Sequence, residues 1–158
     1  MSADRALAHE RRVQRLATFY APLAAGGAWL SLRYGVAAHA GGDPARDLAL
    51  RGTGLAPPLF LPAVLLAAAV LARRRDRVGI AATVAAGLVG LALTAGSTLN
   101  LPADLAAARD AGSPVGLTTG LAVFHWFLGP ALTMAAVLGV RNRRRRLTRS
   151  SEVIDWAR

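Results

Sequence analysis

Leu117 to Val140, LTTGLAVFHWFLGPALTMAAVLGV, is 24 residues long without a formal charge and ends against Arg141, Arg143, Arg144, Arg145 and Arg146. A helix rises 1.5 Å per residue, so this stretch reaches ~36 Å, enough for a hydrocarbon core of ~30 Å. Phe124-His125-Trp126 sits near its middle and places one ionisable group where such groups are costly. The cluster of arginines at its end has the position of a topology signal.

Working outward, the same pattern recurs. Ala17–Ala38 forms a first span, with Leu16 to Leu32 uncharged and Arg33 near its outer end. Pro22, Gly26, Trp29 and Arg33 follow at i, i+4, i+7 and i+11, which predicts one helical face combining a kink, a close-approach glycine and an aromatic–cation pair. Ala38-His39-Ala40 imitates a signal-peptidase site, but the apolar run before it exceeds a signal-peptide core, so an uncleaved helix is expected. Leu55–Ala72 forms a second span with Pro57 and Pro58 in its first turn and Pro62 as a bend. Val78–Leu99 forms a third, with Ala82, Ala86, Gly90 and Thr94 as a small-residue ridge for a neighbouring helix. Asn100 is placed to cap a short separate helix, ADLAAARD, with Pro102 in its first turn, and Gly129-Pro130 is expected to kink the fourth span.

The expected fold is therefore all-α: a polytopic membrane four-helix bundle with spans at about 17–38, 55–72, 78–99 and 117–140. A polar segment, 1–16, precedes it and an Arg-rich tail, 141–158, follows. All 19 basic residues are Arg. Fifteen fall in the N-terminal segment, the 73–77 turn and the tail, and four fall in Arg33, Arg46, Arg51 and Arg109. That asymmetry predicts both termini on the cytoplasmic side of the plasma (inner) membrane. Long spans without a charged face argue against a soluble bundle.

Composition narrows function. The net charge is +10, but the arginines adjoin apolar segments, so the bilayer and its anionic head groups are the expected partners and nucleic acid is not. The chain has no cysteine, which removes disulfides, thiolate metal sites and dithiol chemistry. A haem with paired His ligands is disfavoured because His39 and His125 differ in depth by ~12 Å along the spans. No cofactor and no metal site is expected. No carboxylate lies within a span, which disfavours a transporter built on an intramembrane acid.

The unusual polar groups gather in the outer half. His125 lies ~12 Å in from Leu117 and Arg33 ~8 Å in from Ala38, at 1.5 Å per residue. Thr94 has similar depth, Thr98 and Asn100 lie nearer the surface, and Thr118 shares the face of His125. A lipophilic small-molecule site is expected there, with His125 as base and Arg33 stabilising a developing anion, and with Trp29, Thr94, Thr98, Asn100, Thr118 and Trp126 as binding residues. Plainer roles are open for each: snorkelling for Arg33, a satisfied neutral imidazole for His125, packing for the tryptophans and capping for Asn100.

Arg51-Gly52, Leu55-Ala56-Pro57-Pro58-Leu59, Thr94 to Pro102 (TAGSTLNLP), Leu105 and the His-Trp pair of the fourth span together resemble the DUF1772 family of small four-helix membrane proteins, which includes anthrone-oxygenase-like proteins. The resemblance covers about residues 51–140. It implies a cofactor-free oxygenase acting on aromatic, polyketide-like substrates. The chain departs from the family pattern at Gly129-Pro130, where an Arg usually follows the Trp and His. Two further readings stay open: a non-catalytic membrane subunit that docks other helices as a homo- or hetero-oligomer, and a small transporter.

Overall fold

The computed structural model describes the backbone at residues 3–38, 42–74 and 76–155, and side chains at residues 11–38, 42–74 and 76–143. The chain is all-helical, with 80% of it in helix, and no strand occurs among the described residues. The helices are α1 (Ala3–Tyr34), α2 (Pro44–Asp47), α3 (Phe60–Leu71), α4 (Arg77–Asp110) and α5 (Val115–Asp155). The His39-Ala40 part of the signal-peptidase-like site lies outside the described residues.

The first helix runs without a break from the polar segment into the apolar one, passing Pro22. It stops where Gly35 turns into the left-handed region at φ 69°. The Val36 N–H then reaches back to the Ser31 carbonyl at 2.9 Å, a closure that satisfies the helix end and favours glycine. The fourth helix ends in the same way. Gly112 has φ 70°, the Ser113 N–H donates to the Ala108 carbonyl at 2.9 Å, and Pro114 forbids continuation.

Several boundaries differ from the sequence reading, and α1 ends at Tyr34 rather than at Ala38. The second span is helical only over Phe60–Leu71, 12 residues rather than 55–72. Pro58 lacks an N–H and biases Pro57 away from helical dihedrals, so the helix begins after both. Asn100 is not a cap: α4 continues through Asn100 and Pro102 to Asp110. Pro102 costs one backbone bond, whereas breaking there would require nucleating a new helix from ADLAAARD, which is the larger penalty. α5 in turn runs past the expected end at Val140, as one helix from 115 to 155 with Pro130 inside it.

The four longer helices lie side by side. The closest pairing is α4 with α5, while α3 packs on α4 and α1 packs on both α5 and α3. The ridge predicted on α4 is used within the chain itself. Ala82, Ala86 and Gly90 are all buried, and a Cβ on Gly90 would lie 2.7 Å from the Gly129 carbonyl oxygen. Small residues on both helices permit that approach. The main core gathers Tyr20, Leu65, Ala86, Leu132 and their neighbours, and a smaller cluster of Leu30, Val36, Leu55, Ala108 and Leu121 occupies the other end.

The loop before α3 is tied to the end of α1. Thr53 Oγ1 donates to Ser31 Oγ at 2.7 Å, and the Leu55 and Gly54 N–H groups donate to Ser31 Oγ and the Val36 carbonyl at 3.2 and 3.3 Å. At the opposite end Arg143 donates to the Arg74 carbonyl at 2.9 Å and also to the Ala72 carbonyl, clipping α5 to the α3–α4 turn. Asp76 caps α4 there by accepting from the Gly79 N–H at 3.1 Å, and this bond, with Arg74 beside it, holds its carboxyl below the usual range. The outer surface is strongly apolar: Phe19, Trp29, Val70, Leu88, Phe127 and Met134 are each at least 60% exposed. Two helices, spanning Arg77–Asp110 and Val115–Arg143, are long and apolar enough to cross a membrane, with mean hydropathy of 2.0 and 1.8.

Candidate functional site

A cavity of about 230 Å³ opens at the end of the molecule away from Arg143, where the 52–58 loop meets α4 and α5. One wall comes from α4. Ser97, Asn100 and Asp104 follow at i, i+3 and i+7, so a single helical face carries all three into the lining. The opposite wall comes from α5, with Leu121 and His125 one turn apart. Thr53 to Pro58 close the third side in an irregular conformation that begins at Gly52, φ 80°. Only a residue without Cβ fits there, because a Cβ would lie 2.8 Å from the Ala56 carbonyl oxygen.

His125 is the floor of this cavity. It is 7% exposed, and its Nε2 has no hydrogen-bond partner among the described residues. Its ring meets Tyr20 edge to face, with centroids 5.7 Å apart and planes at 78°. The Tyr20 hydroxyl is fully enclosed and equally without a partner. Tyr20 belongs to the main core and not to the cavity lining, so His125 is the unpaired buried group beside the cavity, a costly arrangement that a ligand or water can complete.

Asp104 stands nearer the mouth, beyond the 78–99 stretch, against Gly54 of the loop. No ion pair compensates it among the described residues, whereas Arg51 on the same rim pairs with Asp47 at 3.7 Å. A carboxyl can hand over or take up a proton, and the Asn100 amide one turn away offers both a donor and an acceptor. The remaining lining, including Leu93, Leu101, Leu105 and Pro57, is apolar. A pocket with apolar walls and a few convergent polar groups is the usual form of a small-molecule site.

Of the residues singled out from sequence, His125 and Asn100 line the cavity and the others do not. Arg33 is exposed on α1, with its guanidinium carbon 5.7 Å from the centre of the Tyr34 ring rather than paired with Trp29. The face of Pro22, Trp29 and Arg33 points outward, and Gly26 has open space around it instead of a neighbouring helix. Trp126 is 44% exposed and stacks edgewise on Phe127 at 5.1 Å. The Thr94 and Thr98 hydroxyls bond back to the Gly90 and Thr94 carbonyls at 2.8 and 2.7 Å. Thr118 is buried on the His125 side of α5, as its spacing predicts, but its hydroxyl is engaged by the Pro114 carbonyl and by Ser113.

Sequence reasoning missed Asp104, Ser97 and Thr53 as lining residues. The spacing of Ser97, Asn100 and Asp104 carried the signal, but it is legible only once the helix is taken through Pro102. No cluster of three or more His, Asp or Glu side chains suited to a metal ion occurs among the described residues. Comparison of the chain with protein families, curated proteins and solved structures finds no match.

Proposed function

We propose that the chain is a small multi-pass membrane protein that holds a lipophilic small molecule in the cavity between the 52–58 loop, α4 and α5. The single observation that carries this reading is the buried, unpaired Nε2 of His125, a residue that lines a pocket of apolar walls and a few polar groups. A polar atom of a ligand at that point satisfies the imidazole, while the body of the ligand covers Leu93, Leu105 and Leu121. The apolar exterior supports placement in a bilayer, since a soluble protein rarely exposes so much contiguous apolar surface. The Arg-rich ends, gathered at the face where Arg143 clips the α3–α4 turn, then belong on the cytoplasmic side.

For the chemistry, proton transfer is the reaction class that the side chains favour. His125 takes a proton from the buried end of the bound molecule, and the Asp104 carboxyl exchanges protons at the mouth. The residues behind the DUF1772 resemblance support extending this to oxygenation of an aromatic substrate by dioxygen without a cofactor, the deprotonated substrate supplying the electrons and water leaving as the second product. Arg51, Leu55, Pro57, Pro58, Asn100, Leu105 and His125 come from three separated stretches and line one cavity. Arg33, on the outward face of α1, has no part in this version; the guanidinium on the rim belongs to Arg51.

Native mass spectrometry of the detergent-solubilised protein tests the reading. The wild type should retain a lipophilic molecule, or take one up from a panel of aromatic ketones and phenols. His125→Ala should release it with the melting temperature unchanged or raised, and His125→Gln should restore part of the binding. Equal retention by the wild type and His125→Ala, or no retention by the wild type, removes the proposal.

A further inference from the structure

The two long helices leave a second concavity on the outer surface, toward the Arg-rich end. It is a groove of about 540 Å³ between α4 and α5. Its floor is made of Gly87, Thr133 and Ala136, where the helices touch: a Cβ on Gly87 would lie 2.9 Å from the Ala136 Cβ. Its walls are Leu88 and Leu91 on α4 and Val137 on α5, which are 60, 53 and 56% exposed. The Thr133 hydroxyl is already satisfied by the Gly129 carbonyl at 3.0 Å. The trough is thus dry and apolar along its length.

One end differs. Arg141 lines the groove one turn past Val137, ~6 Å further along the helix, and is exposed. Among the described residues no carboxylate is paired with it. An apolar trough that ends in a free-standing cation at the membrane boundary has the charge pattern of a phospholipid in reverse. We propose that this groove is a binding site for one anionic phospholipid of the cytoplasmic leaflet, with an acyl chain along Leu88, Leu91 and Val137 and the phosphate on Arg141. The inference rests on the membrane placement above and not on the contents of the other cavity.

Charge also argues against a second copy as the occupant. Two chains in the same orientation, docked through this groove, would bring Arg141 toward Arg141 and one Arg-rich tail toward the other. That contact is repulsive, whereas a phosphate relieves it.

The test uses the full chain, tail included, in native mass spectrometry with phosphatidylglycerol and phosphatidylcholine of identical acyl chains. Phosphatidylglycerol should be retained preferentially as a single adduct. Arg141→Gln should weaken that adduct about fivefold, the equivalent of ~1 kcal/mol for one basic residue at an anionic surface. Leu88→Trp fills the trough without changing charge or touching the core, and should weaken both lipids. Equal retention of the two lipids, or indifference to Arg141→Gln, overturns the proposal. So does a dimer that Leu88→Trp disrupts, which would make the groove a self-association face. Labelling of single cysteines at Ala45 and Ser151, straightforward in a chain without native cysteine, checks the orientation separately. Labelling of Ser151→Cys from outside would sink the membrane placement even if lipid preference in detergent persisted.

Discussion

At the level of single residues, His125 and Asp104 were unequally visible. A histidine inside 24 uncharged residues stands out in any reading, because the surrounding chain offers it no water and no charge. Asp104 did not stand out, since a break assumed at Asn100–Pro102 put it on a surface helix of its own. Its position yields an expectation for binding. Asp104→Asn keeps the shape of the cavity mouth while removing its acid, so ligand retention in native mass spectrometry should fall less than for His125→Ala. Equal losses in the two variants would contradict the roles assigned to them.

Among the elements, the α4–α5 pair was the most legible part of the fold and α3 the least. Four-residue spacing of Ala82, Ala86, Gly90 and Thr94 marks a ridge regardless of what covers it, and the covering helix proves to be the next one in the chain. Proline misled in both directions. Pro57 and Pro58 delay α3, whereas Pro102 sits inside a continuous helix, because neighbouring turns outweigh one lost bond. The glycines of the two long helices separate into two kinds with opposite expectations. Gly90→Ala drives a methyl to within 2.7 Å of Gly129 and Thr133 on α5 and should cost ~1–3 kcal/mol, as overpacking does. Gly120→Ala meets nothing within 4 Å and should be neutral or stabilise by up to ~1 kcal/mol through helix propensity. Thermal or denaturant unfolding in detergent compares them, and equal effects would show that the close approach does not hold the pair together.

For the whole molecule, composition and periodicity sufficed for an all-helical chain with long apolar helices. They could not supply the site, because its third wall is neither helix nor strand. Thr53 to Leu59 is held by bonds to Ser31, Val36 and Leu48, contacts that span 11 to 24 residues and leave no periodic trace in the sequence. The shortness of α3 gives that wall a further role. Twelve residues of helix reach about 18 Å, well under the ~30 Å of a typical hydrocarbon core. Irregular backbone at membrane depth survives only where protein satisfies it, which in the proposed placement is what the Ser31 and Val36 bonds would do. In the proposed placement, lipid facing α3 must therefore thin locally, or the loop must stretch to meet it. Reconstitution across a series of acyl-chain lengths should then show ligand affinity falling as the bilayer thickens, and a flat response would separate the cavity from its surroundings. Hydrophobic mismatch would thus act on the same six-residue wall, Thr53 to Pro58, that closes the pocket, making membrane thickness an input to the site.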